Sequence, residues 1–326
     1  MDKVLIHYFS GTGNTYHMVK VIGEKLIQSG YEVVYKNMEN KVQVPIDEYN
    51  LHIFAYPIYA FGTPSIVLNY MRKLKTNKNS NAAIICTCYE FEGQSLHHTT
   101  HLLKLRNFNV TFTDVALYPA NWTEIVNPSD EVKQKEMIIN TDNQLDEFID
   151  KIINTKVTKK KCKPIHLLWT WFLFLLFYFL GRRFLGKLFI ADSSCNSCKM
   201  CIHNCPVKAI KLNKGKPKWN WKCENCQRCI NVCPKKSIQT SIVKILLSFL
   251  ALILVFFELI LLNKIFEIQT FYNVILFLIL NVFMTLLTDI LINFLERVQV
   301  VHKILEYSYT KKYRRYLMDG FKGTIR

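Results

Sequence analysis

The sequence predicts a doubly wound α/β domain with a parallel sheet, then a small cysteine-rich metal-binding module, then a C-terminal helical hairpin that enters a membrane. Three observations predict it. Short apolar runs alternate with helix-length stretches through residues 1–155, eight of the eleven cysteines fall between Cys195 and Cys233, and two long apolar runs near the C-terminal end are flanked by lysine and arginine. Charge divides the chain at the same place: residues 1–155 carry 14 Lys and Arg against 17 Asp and Glu, and residues 156–326 carry 28 against 8. With 326 residues, half of them hydrophobic, two or more units are expected. The apolar content excludes global disorder, and 11 Gly with 9 Pro exclude a collagenous chain.

Val4–Phe9, Glu32–Tyr35, Leu51–Tyr56, Ala82–Thr87 and Val110–Leu117 read as strands. Three of these runs are almost continuously apolar, as parallel strands covered on both faces are. Asn14–Ser29, Pro64–Lys75, Gln94–Arg106 and Ser129–Ile153 read as the alternating helices, with Pro64 suited to a first turn and Gly30 to a stop. Strand–helix alternation of this length gives a doubly wound sandwich.

The first strand–helix junction carries chemistry. In Ser10-Gly11-Thr12-Gly13-Asn14-Thr15 the glycines let backbone N–H groups close on an anion at a helix N-terminus, and hydroxyls at 10, 12 and 15 add donors. No lysine stands in the loop, so a Walker-type nucleotide site is not expected, and Tyr16 occupies the third glycine position of a dinucleotide fingerprint. What remains is a loop that binds a phosphomonoester with neutral donors.

The cysteines follow C-x2-C-x2-C-x3-C-P twice, at Cys195, Cys198, Cys201, Cys205 and at Cys223, Cys226, Cys229, Cys233. This is the bacterial ferredoxin spacing, in which the fourth cysteine of each run ligates the other cluster. Cys195, Cys198, Cys201 and Cys233 are therefore assigned to one 4Fe–4S cluster, and Cys223, Cys226, Cys229 and Cys205 to the other. Zinc is the competing metal, although paired zinc sites seldom need four cysteines per run plus the proline. No secretory signal is read at Met1, because the first apolar run stops at a polar turn, so a disulfide framework lacks its usual setting.

The Ser-x-Thr-Gly-x-Thr loop resembles the phosphate loop of flavodoxins, which implies FMN as ligand and a 2-1-3-4-5 strand order. Pro57-Ile58-Tyr59-Ala60-Phe61-Gly62, after the third strand, resembles the loop that covers one edge of the flavin ring, and Thr87-Cys88-Tyr89 with Gly93 falls where the family places the other flank. Together with the cysteine module and Lys218-Trp219-x3-Cys223-Glu224-x-Cys226, the chain is similar to the flavodoxin–ferredoxin fusion family (EFR-type ferredoxins). The resemblance covers residues 1–155 and about 180–240, and implies a small α+β ferredoxin-like domain with two clusters.

The boundaries read as 1–155 for the flavin domain, 156–190 for a basic linker, 191–240 for the two-cluster domain, 241–296 for two transmembrane helices and 297–326 for a basic cytoplasmic tail. Ile245–Leu262 and Tyr272–Leu295 suffice for a core of about 30 Å. Lys235, Lys236 and Lys244 before them, with Arg297, Lys303, Lys311, Lys312, Arg314 and Arg315 after, place both ends in the cytoplasm. Ile165–Leu180 is shorter and aromatic. A span there would put flavin and clusters on opposite faces, so a re-entrant or interfacial helix is expected.

Other residues carry weaker signals. His97 and His101 share a helical face beside His98 but lack the companions of a metal motif. Cys86 and Cys88 read as buried thiols, Cys162 as a juxtamembrane cysteine open to lipidation, and Glu258 and Asp289 as carboxylates near span ends. Residues 192–240 carry ten Lys and Arg against Asp192 and Glu224, an excess that suits an acidic redox protein or anionic lipid. Nucleic acid is not expected, since no recognition motif accompanies the charge. The functional expectation is electron transfer between FMN and two clusters at the cytoplasmic face of a cell membrane, exchanging two-electron and one-electron carriers. Two alternatives stay open: a membrane-bound FMN reductase of a quinone, nitro compound or disulfide, and a membrane-docking adaptor whose clusters are structural.

Overall fold

The computed structural model describes residues 2–40, 44–74, 76, 79–154, 157–160, 164–266 and 270–321. Cys162 lies outside them. Strands β1 (Lys3–Tyr8), β2 (Glu32–Asn37), β3 (Leu51–Pro57), β4 (Ser80–Cys88), β5 (Phe108–Leu117) and the two-residue β6 (Thr158–Lys159) form one parallel sheet in the order 2-1-3-4-5-6. The first five have the flavodoxin-type order, whose reversal beside β1 opens a crevice at the carboxyl ends of the strands. The sixth strand belongs to the stretch expected as linker.

Four helices cover the sheet: α1 (Asn14–Gln28), α2 (Ser65–Arg72), α3 (Ser95–Lys104) and α4 (Glu131–Ile153). Period-2 alternation in the strands feeds both faces. Ile6, Ile53, Ile85 and Phe112 pack with Met18, Ile22, Leu145 and Phe148 of α1 and α4. Phe54, Ile84 and Val110 pack with Val67, Met71 and Leu103 of α2 and α3. Asp130 caps α4 by accepting from the Lys133 amide at 3.0 Å.

Helix α5 (Pro164–Leu176) runs through a π turn at Phe177–Gly181 into α6 (Arg182–Lys187). The apolar helix is therefore 24 residues long, well beyond the expected end at Leu180. It continues past Gly181 because Arg182 is buried, paired with Glu224 and donating to Ser65 Oγ at 3.0 Å, so its charge is no stop signal. One face docks on the first domain through the buried Thr170 and Phe174, while Leu168, Phe172 and Phe179 on the other face are exposed.

The cysteine module follows as β7 (Phe189–Ala191), α7 (Met200–His203), the hairpin β8 (Ile210–Asn213) and β9 (Lys216–Trp219), α8 (Arg228–Asn231) and β10 (Ile238–Thr240), with β7 antiparallel to β10. Helices α9 (Ile242–Phe266) and α10 (Thr270–Leu295) pack as a hairpin. Three stretches, Pro164–Lys187, Ile242–Lys264 and Ile275–Leu295, are long and apolar enough to cross a membrane. Salt bridges from Glu296 to Lys218 and from Lys187 to Asp289 at 2.8 Å fasten the hairpin to the module.

Residues 297–321, part of the stretch expected as a basic tail, pack back on the two domains. After α11 (Gln299–Leu305) the chain returns across the module, and Tyr316, Met318 and Phe321 enter the core of the first domain. Apolar side chains at three of the last described positions outweigh the surrounding charge.

Candidate cofactor sites

The loops at the carboxyl ends of β1, β3, β4 and β5 enclose a cavity of about 550 Å³, within the range of small-molecule sites. Of the expected contacts, Ser10, Gly11, Thr12, Asn14, Thr15, Pro57, Ile58, Tyr59, Ala60, Phe61, Thr87, Cys88 and Tyr89 line it. Ser10 Oγ braces the loop by accepting from the amides of Gly13 (3.1 Å) and Tyr16 (3.2 Å), and Thr15 Oγ1 meets Thr87 Oγ1 at 2.8 Å. Burial pushes the Cys88 thiol up to about 12.

Gly13, Gly62 and Gly93 do not line the cavity; each admits a neighbour instead. A Cβ on Gly13, whose φ is +109°, would sit 2.4 Å from Met318 Cβ; one on Gly62 would enter the ring of Phe174; one on Gly93 would strike Phe61. Ala60 and Phe61 form a two-residue turn closed by mutual hydrogen bonds between Tyr59 and Gly62, with φ of 45° and 65°. Non-glycine residues there cost about 1–3 kcal/mol each. The turn brings Phe61 to within 5.1 Å of the Trp169 ring and 5.9 Å of Phe91.

Two walls were absent from the sequence reading. Pro119–Trp122 follows β5, and its place at a strand's carboxyl end was a usable signal. The roof is Leu173, Leu176, Phe177 and Gly181 of the aromatic helix, for which periodicity gives no target.

The eight cysteines fall into two sets. Cys195, Cys198, Cys201 and Cys233 line one small cavity, and burial together with Cys233, Cys195 and Cys198 pushes the Cys201 thiol up to about 12. Burial first, then Cys223, Cys226 and Cys205, raises the Cys229 thiol. Backbone follows the same repeat. The left-handed residues Ser197, Lys199 and Lys208 have counterparts at Asn225, Gln227 and Lys236, at the same offset that relates the two cysteine runs.

The surroundings fit clusters rather than single ions. Among the described residues no three His, Cys, Asp or Glu converge on one point as an ion would require, whereas a cubane holds its ligands further apart. Among the described residues, Trp219 Nε1 and Nε and Nη1 of Arg315 are buried without oxygen or nitrogen partners; Trp219 meets Cys229, and Arg315 feels Cys233 and Cys229. Such N–H groups suit cluster sulfur. Residues 194–238 match the sequence family described as 4Fe-4S dicluster domain. This segment is a 4Fe–4S dicluster domain.

No curated protein matches the chain. Solved structures similar to it include flavodoxin 2 of Bacillus cereus (20% identity over 46% of this chain and 99% of that one, TM-score 0.34). A Megasphaera elsdenii flavodoxin matches at 20% identity over 34% of this chain and 84% of that one, with TM-score 0.30. A Fusobacterium nucleatum flavodoxin mutant bound to flavin mononucleotide matches at 17% identity over 46% and 96%, with TM-score 0.33.

The dicluster domain touches the phosphate-loop cavity directly. A Cβ on Gly11 would lie 2.5 Å from Tyr59 Oη and 3.0 Å from the Cys226 carbonyl oxygen. Arg228, fully buried, donates to the carbonyls of Gly11 (3.0 Å), Ser10 (2.5 Å) and Asn204 (3.1 Å) and to both oxygens of Glu39. Gln227 and Asn225 donate to Glu124, whose carboxyl burial lifts to about 7. On the opposite side α6 closes in, since a Cβ on Gly186 would lie 2.6 Å from Cys223 Sγ. Gly186→Ala is expected to displace Cys223 and remove about half of the bound iron, one cluster of two; iron and sulfide analysis of anaerobically purified protein checks this.

The His98 ring lies tilted against Trp171 at 4.8 Å while His97 and His101 stay exposed, so the three share no centre. Cys86 is buried in the sheet. Glu258 is exposed on α9, and Asp289 is paired with Lys187.

Proposed function

We propose that the protein transfers electrons between an FMN in the phosphate-loop cavity and two 4Fe–4S clusters in the dicluster domain, at a membrane surface. One observation carries the reading: cavity and second cysteine set share a wall, Gly11 and Tyr59 against Cys226. Bound there, FMN exchanges two electrons in single steps while each cluster carries one. The chain's own residues hold the parts. The 10–15 loop takes the phosphate, Phe61, Tyr89 and Trp122 lie where the ring would be flanked, and the α5–α6 roof excludes water. Cys195, Cys198, Cys201 and Cys233 hold one cluster, and Cys205, Cys223, Cys226 and Cys229 the other.

The contact between the two domains also supports the in-plane reading of α5–α6, whose ends lead into bodies packed on each other. Its exposed Leu168, Phe172 and Phe179 would meet lipid, and the α9–α10 hairpin would span it with its basic flanks in the cytoplasm. Around the first cysteine set, Lys199, Lys208, Lys214, Lys235 and Lys236 are exposed and Cys198 is accessible, which suits docking of an acidic electron-carrier protein there.

The deciding experiment is anaerobic purification in detergent with flavin, iron and sulfide analysis. About one FMN and about eight irons per chain are expected, and Cys205→Ser should lose one cluster and keep the other. Protein without flavin would end the reading.

A further inference from the structure

A second pocket, of about 190 Å³, lies between α6, α9 and α10 where the hairpin leaves the dicluster domain. Its walls are mixed. Trp221 and Phe184 supply flat apolar surface, Lys187 and Asp289 form a salt bridge at 2.8 Å, and Asn281, Thr285 and Thr288 line the inner face of α10. Polar side chains inside a span are costly and mark a site when they face one cavity. Leu252, at the rim, is 44% exposed on the surface that faces lipid, so the pocket opens toward hydrocarbon.

Charge narrows the occupant. Lys187 is matched by Asp289, and Lys244, whose Nζ donates to the Phe189 carbonyl at 2.9 Å, faces Glu296. Lys244 shares Glu296 with Lys218, but its ammonium is held by the Phe189 carbonyl, so among the described residues no ammonium stands free in the pocket for a phosphate headgroup. Lys187 Nζ also donates to the Trp219 carbonyl at 2.9 Å and lies 5.3 Å from the centre of the Trp221 ring, so its third proton is the one a neutral acceptor seated on that ring would take, and Thr288 offers a hydroxyl. The volume admits one or two fused rings and no acyl chain, which leaves any tail to run out past Leu252. Position supplies the last constraint: Trp221 stands two residues before Cys223, and Gly186 brings α6 against that thiol.

We propose that this pocket binds the carbonyl-bearing headgroup of a lipid-tailed quinone, with one carbonyl oxygen accepting from Lys187 or Thr288 and the ring against Trp221. The proposal deepens the electron-transfer reading, on which its role rests, by naming the membrane carrier beside the second cluster; the binding itself can be read without turnover.

The test uses the full chain in phosphatidylcholine nanodiscs and a photoreactive azido-naphthoquinone with an isoprenoid tail. Label should map by mass spectrometry to the α6, α9 and α10 segments around the pocket, and excess unlabelled tailed naphthoquinone should displace it. Thr288→Phe, which fills the pocket, should lower labelling at least tenfold with iron content unchanged, and Ser248→Leu gives the same reading should the first variant lose its clusters. Label spread over lipid-facing residues and not displaced by the quinone would overturn the proposal, as would displacement by phosphatidylglycerol instead. A wild type lacking flavin would sink the electron-transfer reading yet leave the labelling result standing, so the two failures are distinguishable.

Discussion

Removal of residues 314–326 should cost the protein its FMN and most of the stability of its first domain. Tyr316, Met318 and Phe321 retain 4%, 6% and 5% exposure in a core otherwise built from β1, β3, β4, β5, α1 and α4. Burying such a side chain stabilises by about 1.5–3 kcal/mol, so the three together contribute on the order of 5–9 kcal/mol. A whole domain has only about 5–15 kcal/mol in hand. The strap also reaches the phosphate loop: the Met318 amide donates to the Thr12 carbonyl at 3.0 Å, Tyr16 packs at 5.6 Å on Phe321, and the Tyr316 hydroxyl donates to Asn14. Without it the helix end that faces the phosphate loses its backing. The truncated chain is expected to purify with little flavin and a lowered thermal midpoint. Met318→Ala, expected to cost about 2–5 kcal/mol, gives a graded version that still folds. Full flavin occupancy and an unchanged midpoint in the truncation would show that the strap merely rests on the surface.

This strap also marks the boundary of what can be read from residues alone. The sheet was legible because continuous apolar runs such as Leu51–Tyr56 have one stable use, two covered faces, and the cysteine runs were legible because cluster geometry fixes their spacing. Thirteen of the sixteen expected cavity residues line it for a similar reason: loops at strand ends must converge. Gly13, Gly62 and Gly93 stand off the lining because the space beside each is taken by Met318, Phe174 or Phe61, and a glycine that admits a ligand looks identical in sequence to one that admits a side chain. The aromatic helix showed its lipid-facing side in composition, but Phe174 and Phe177 differ from Phe172 and Phe179 only through what they touch. Arg228 was invisible for the same reason, counted with the basic excess although no part of it is exposed.

Arg228→Lys should separate flavin binding from cluster binding. All five N–H groups of this guanidinium are committed, one from Nε to Gly11, two from Nη1 to Glu39 and Asn204, and two from Nη2 to Ser10 and Glu39. Burial works against its charge, yet Glu39 outweighs that and holds the guanidinium above its ordinary value. An ammonium has three donors on one atom and cannot serve acceptors on the phosphate loop, the β2 end and the cluster loop together. At least two of the five acceptors lose their partner, at about 1–3 kcal/mol each where burial keeps water out. Because two of the partners are the carbonyls of Ser10 and Gly11, the loss falls on the phosphate loop, and FMN affinity should drop about ten- to hundredfold. The iron content should hold, since Arg228 lies between Cys226 and Cys229 without being a ligand. Arg228→Met removes the cation altogether and leaves Glu39 buried and unpaired, a change of about 3–5 kcal/mol that should loosen the two domains from each other. Limited proteolysis of the Glu39 loop, protected in the wild type and cut in Arg228→Met, reads that loosening independently of flavin. If Arg228→Lys kept wild-type FMN affinity, the phosphate loop would not depend on the dicluster domain for its shape, and the shared wall would be a contact without consequence for the cofactor.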